Sequence, residues 1–219
     1  MPSLIVFRSS VKYDHLSLHL FFNPCRATNM YTLGNLLFAR LHLGGIYTDL
    51  QNAIKRTSEG LIHLHDEDPA RPILMANLSI MLQRSYDREP SSMLDLEESI
   101  LFSRVALAAP SLPLNIELQL IQGLAIEFDR KGQRLRRPDE LEKSIFLQEK
   151  LLQSTPFGIT ERAWFAHGLS VSLRRRYEAD PEAHAGDVQR AMALSKDAVE
   201  RATPDDPRRA RYLITCSTL

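Results

Sequence analysis

A six-residue pattern returns along this chain at a nearly fixed interval, and that interval leaves few folds open. Asp95-Leu96-Glu97-Glu98-Ser99-Ile100 has looser copies at Asp49-Leu50-Gln51-Asn52-Ala53-Ile54, Glu140-Leu141-Glu142-Lys143-Ser144-Ile145 and Asp187-Val188-Gln189-Arg190-Ala191-Met192. The leading acids stand 46, 45 and 47 residues apart. A period of roughly 20 to 50 residues marks a stacked array, in which one small unit hides its apolar surface only against its neighbours. Within the copies, Leu50, Ala53, Ile54 and Leu61 become Leu96, Ser99, Ile100 and Leu107, then Leu141, Ser144, Ile145 and Leu152, then Val188, Ala191, Met192 and Val199. Those offsets share one side of an α-helix. The second position of each set is always Ala or Ser, small enough for another helix to come close.

A second stripe precedes each copy. Leu33, Leu78, Leu124 and Leu169 are followed at once by Gly34, Ser79, Ala125 and Ser170, and one turn later by Leu37, Leu82, Phe128 and Leu173. Apolar residues at steps of four mark an amphipathic helix. Turn-rich stretches separate the two stripes of a unit: Gly44-Gly45, Glu89 through Ser92, Gly132 through Pro138, and Ala179 through Gly186. Pro69, Pro110, Pro156 and Pro204 close the units, because proline cannot continue a helix. Thr48 with Gln51 has the form of a capping box, and Ser91 or Ser92 is placed to cap the second copy. The expected fold is all-α: a right-handed superhelical array of antiparallel helix pairs over residues 29–219. Its units span about 29–70, 71–112, 113–159 and 160–207, with a fifth begun at 208. Residues 1–28 carry no anchor and read as an irregular extension, with a short helix over Leu16–Phe22 and a turn at Asn23-Pro24.

Composition narrows the function classes. Lys plus Arg and Asp plus Glu both number 27, so no global charge draws the chain to nucleic acid or to an anionic membrane. Two cysteines, Cys25 and Cys216, are too few for a disulfide framework or a zinc module and fit a cytoplasmic setting. No run approaches the ~18 apolar residues of a membrane span. His63 and His65 beside Asp66, Glu67 and Asp68 invite a metal reading, but residues two apart diverge on a helix, so the cluster reads as a polar helix end. Gly44-Gly45 lacks the lysine and hydroxyl of a phosphate loop. Neither a cofactor, a metal nor catalysis is predicted.

The small residue after each marker leucine and the leucine or phenylalanine one turn later resemble the first helix of the tetratricopeptide repeat. Ala53, Ser99, Ser144 and Ala191 resemble its second-helix alanine. That family repeat is about 34 residues, shorter than the units here. The longer form is similar to tetratricopeptide-like arrays of large fungal proteins, in which such units precede a caspase-like CHAT peptidase domain. The resemblance implies protein binding by a concave face lined with first-helix side chains. By offset these are Tyr31, Asn35 and Phe38; Ala76, Ile80 and Gln83; Gln122, Ile126 and Asp129; and His167, Val171 and Arg174. One position further on, Arg84, Arg130 and Arg175 are in register, either to grip carboxylates or phosphates of a partner, to pair with the acidic second-helix starts, or to form a solvated face. The expected function is a protein–protein interaction scaffold for a protein or peptide. Two alternatives stand beside it: the regulatory repeat portion of a larger peptidase, and an RNA-binding helical repeat resting on the arginine row. Self-association through the C-terminal end is a further expectation.

Overall fold

The computed structural model describes residues 24–90, 92–110, 112–155 and 161–218. These form nine α-helices with no strand among the described residues: α1 Pro24–His42, α2 Tyr47–Ile62, α3 Arg71–Arg88, α4 Met93–Leu107, α5 Leu114–Leu135, α6 Pro138–Ser154, α7 Glu161–Ala179, α8 Asp187–Arg201 and α9 Arg209–Ser217. They pack most extensively as α1–α2, α3–α4, α5–α6 and α7–α8. Each pair is antiparallel. Gly34 in α1 lies against Ala53 and Thr57 of α2, whereas Arg40, further along α1, bonds Asp49 at the start of α2. Ser170–Ser195 and Arg176–Asp187 run the same way in α7 and α8.

Each second helix also packs onto the next first helix, from α2–α3 through α8–α9. First helices touch first helices as well, at α3–α5, α5–α7 and α7–α9, while second helices make no packing of that extent with one another. The layer of first helices is therefore the tighter one, and the tighter layer is the inner side of a curved stack. This is a solenoid-like array.

The interface between units explains which stripe residues are buried. Ile100 of α4 shares a cluster with Leu124 of α5, and Ile145 of α6 shares one with Leu169 of α7. Leu78, Leu124 and Leu169 are buried accordingly. Leu33 is not: it is 43% exposed, and Leu36 beside it is exposed too. No second helix precedes α1 among the described residues, so nothing equivalent to Ile100 lies on Leu33. Met192, the counterpart of Ile100 in α8, is exposed for the mirror-image reason, since Cys216 in α9 stands where a marker leucine would and is itself exposed.

Several local expectations change. Helix α1 begins at Pro24, so residues 24–28 belong to the first unit; Leu16–Phe22 and Asn23 lie outside the described residues. Helix α5 runs through Gly132 to Leu135, which leaves Arg136 and Arg137 alone as the turn. A Cβ on Gly132 would stand 3.1 Å from the Arg137 carbonyl oxygen and 3.2 Å from the Leu141 nitrogen. Glycine there lets α6 enter against α5 without ending it. Arg136 takes up the reversal in the left-handed region, at φ 53°, where a non-glycine residue costs about 1 kcal/mol. Helix α2 starts one residue before Thr48, and the Asp49 carboxylate accepts from the Ile46 N–H at 3.2 Å. Ser92 does cap α4, accepting from the Asp95 N–H at 3.4 Å.

A recurrent arginine joins successive units. Arg71 donates to the Leu61 and Leu64 carbonyls at 3.0 and 3.2 Å, and Arg209 to those of Val199 and Ala202 at 2.8 and 2.7 Å. Arg162 does the same to Leu152 and Thr155. The last carbonyls of a helix have no partner within it, and a cation there also favours the helix dipole. Each guanidinium thus closes the second helix of one unit from the first turn of the next. Unit three has Glu117 at this position.

Leu78→Ala is expected to cost about 2–5 kcal/mol, as for a filled core site, and Leu33→Ala less than about 1 kcal/mol. Urea melts of the two variants check the contrast; equal losses would contradict the neighbour-covering account.

Candidate interaction surface

The inner layer carries the residues singled out by offset, and the structure divides them into engaged and open. Residues two before each marker leucine are not presented. Ala76, Gln122 and His167 are buried, and Tyr31 is half-buried. They face the next first helix: the Tyr31 hydroxyl accepts from Asn77 at 2.9 Å, and the His167 ring lies against that of Tyr212, tilted by 47° with ring centres 4.9 Å apart. Direct contact between first helices closes this row.

The polar residues further along mostly bind one another. Asn77 also reaches Asn35 at 3.4 Å, and Gln83 donates to the Gly123 carbonyl at 3.2 Å. Arg84 and Arg130 both pair with Asp87, the first at 3.6 Å. Arg175 pairs with Asp129, which also accepts from Gln133 at 3.0 Å. Arg174 donates to the Thr218 hydroxyl at 2.9 Å. The arginine row thus meets acids of first helices rather than the second-helix starts. Two of those starts are held by other arginines, Asp49 by Arg40 and Asp187 by Arg176 at 2.7 and 3.0 Å. Asp129 is only 6% exposed and is not presented to a partner. Burial pushes the Arg175 guanidinium below its usual range, whereas Arg40 holds the Asp49 carboxyl down. Phe38 packs, half-buried, against the cluster of Leu50 and Met81.

Three apolar residues of the layer stand apart from this polar network. Ile80, Ile126 and Val171 are half-buried, 46 and 45 residues apart, and form one row along the inner layer. Asn35 occupies the same register in α1.

Beneath this surface lies a polar seam that spacing alone does not mark as functional. Ser79 bonds Ser103 at 2.6 Å and Ser99 at 3.2 Å where α3 and α4 are closest. Ser99 also donates to Glu127 of α5, whose side chain is fully buried. Desolvation pushes the Glu127 carboxyl up to about 8, against the lowering effects of the Ser99 bond and the Arg130 charge. The sequence signal is an acid three residues after a marker leucine, where the other units place Leu36, Met81 and Ser172. His167 moves oppositely: burial, with Arg211 and Arg174 nearby, pushes it down to about 4.

Neither a protein-family model nor a curated protein matches this chain. Function must be read from the surface itself. Among the described residues, no helix is long and apolar enough to cross a membrane.

Glu127 makes stability depend on pH in a defined direction. Its folded carboxyl keeps a proton to about 8, while the unfolded one releases it near 4.5. This group's contribution is therefore full below pH 4.5 and is lost as the pH rises towards 8. Glu127→Gln keeps a neutral hydrogen-bonding side chain, and is expected to be more stable than the parent at pH 9 by a few kcal/mol and equal to it near pH 5. Urea titrations at the two pH values check this.

Proposed function

We propose that this chain is a binding module: a tetratricopeptide-like array that receives a peptide or partner protein along its inner layer and performs no catalysis of its own. The row of Ile80, Ile126 and Val171 carries the reading. Packed helices lie about 8–10 Å apart, so the row offers an apolar contact at that spacing. An extended chain advances ~3.3 Å per residue, and a helix 1.5 Å. The matching partner has an apolar side chain every third residue if it takes the threefold polyproline II form, about 3.1 Å per residue, or about every seventh if helical.

The engaged polar groups support this reading. They fix the first helices relative to one another, so the row exists before any partner arrives, which lowers the ordering cost of binding. The same engagement removes support from the RNA alternative, because Arg84, Arg130 and Arg175 already face Asp87 and Asp129. The exposed thiols of Cys25 and Cys216 fit a reducing, cytoplasmic setting.

A photoreactive benzophenone side chain placed in cells at Ile80, Ile126 or Val171 is expected to capture the same protein from all three positions. Placed at Phe146, exposed on α6, it is expected to capture none of it. Ile126→Gln should abolish capture from position 171 while leaving the melting temperature within a few degrees of the parent. Equal capture from Phe146 would overturn the assignment.

A further inference from the structure

Where units three and four meet, the structure has a cleft of about 520 Å³ at the rim formed by the turns between first and second helices. Arg136, Arg137, Arg175 and Arg176 converge on it over a floor that includes Leu141 and Ala179. Two of the guanidiniums are fixed in place: Arg175 by Asp129, and Arg176 by Asp187 and Glu142. The other two are not. Arg136 and Arg137 are exposed and form the whole turn between α5 and α6, with no side-chain partner among the described residues. So short a turn fixes where both are attached. The chain also holds Arg136 in the left-handed region, where glycine is the economical residue. A cation stands at a position that backbone geometry would give to glycine.

Resting on the binding reading above, we propose that this cleft anchors an acidic side chain of the bound peptide, its oxyanion held by Arg136 and Arg137 and its neighbouring apolar residue seated on Leu141 and Ala179. The carboxylates that line the cleft do not oppose this. Asp129 is matched by Arg175, and Glu142 shares Arg176 with Asp187, so the two turn residues supply the positive charge at the mouth, beside the exposed Asp180. Planar guanidiniums bind carboxylate and phosphate oxygens in pairs. Burial around Arg175 lowers the local dielectric and strengthens the field felt by an anion. The oxyanion belongs to a glutamate or to a phosphoserine, which share this chemistry.

Arg136→Gly separates recognition from folding, because glycine relieves the left-handed residue while removing one guanidinium. The full chain is titrated with three blocked tripeptides, leucine–X–leucine with X as glutamate, phosphoserine or glutamine, while the Nε–Hε resonances of Arg137 and Arg175 are followed by NMR. Saturable shifts are expected with one or both acidic peptides and not with the glutamine peptide; which acid binds identifies the source of the oxyanion. Arg136→Gly is expected to weaken that binding by about five-fold or more with no fall in melting temperature. Shifts of equal size with the glutamine peptide, no saturable shift with any, or unchanged affinity in Arg136→Gly would overturn the cleft assignment. Captures from Ile80, Ile126 and Val171 do not pass through this cleft, so their persistence in that case leaves the inner-layer reading intact.

Discussion

Each second helix in this chain has apolar surface on two sides, and its own partner helix covers only one. The other is covered by the first helix of the next unit, through an isoleucine set on a marker leucine: Ile100 with Leu124, and Ile145 with Leu169. Burying such a side chain is worth about 1.5–3 kcal/mol, which is large beside the net stability of a domain. Among the described residues, no single central core supplies it otherwise. Clusters follow one another along the chain, and each is built from two or three consecutive units. The exposure of Leu33 at one limit and Met192 at the other follows from the same rule, since each lacks the neighbour its equivalents have.

Arginine does three separate things around that apolar contact. Arg71, Arg162 and Arg209 tie the end of one unit to the beginning of the next through backbone carbonyls. Arg40 and Arg176 clasp the two helices of a pair through Asp49 and Asp187. Arg130 and Arg175 connect neighbouring first helices through Asp87 and Asp129. Only a planar group with several fixed donors serves all three geometries. These guanidiniums are bound internally, Ile80, Ile126 and Val171 lie half-buried in register on the inner layer, and Arg136 and Arg137 of the α5–α6 turn have no side-chain partner among the described residues.

The repeat was legible because burial imposes a period, and that period survives loose substitution: Leu78, Leu124 and Leu169 occupy equivalent surroundings. Leu33 shares the pattern but not the burial, because a sequence offset records a position within a unit and not whether a neighbour exists. The arginine row shows a second limit. Its register was visible, yet its partners were not, since Asp87 and Asp129 come near only once first helices lie side by side. The carbonyl-binding arginines stand at a constant offset of seven before the marker position, but a cation in a first turn resembles any solvated residue until the preceding helix end is placed beside it. Gly132 misled for a similar reason. Glycine usually ends a helix, and here it serves a close approach instead. Ala76, Gln122 and His167 would line a groove on an isolated helix; contact between first helices buries them.

If units are held together by this nearest-neighbour contact, the energy should be shared between adjacent units and not between distant ones. A double-mutant cycle on Ile100→Ala and Leu124→Ala, set beside one on Leu78→Ala and Leu169→Ala, measures that directly from urea unfolding. The account predicts a coupling above about 0.5 kcal/mol for the first pair and additivity within about 0.5 kcal/mol for the second. Additive losses for Ile100 and Leu124 would contradict it.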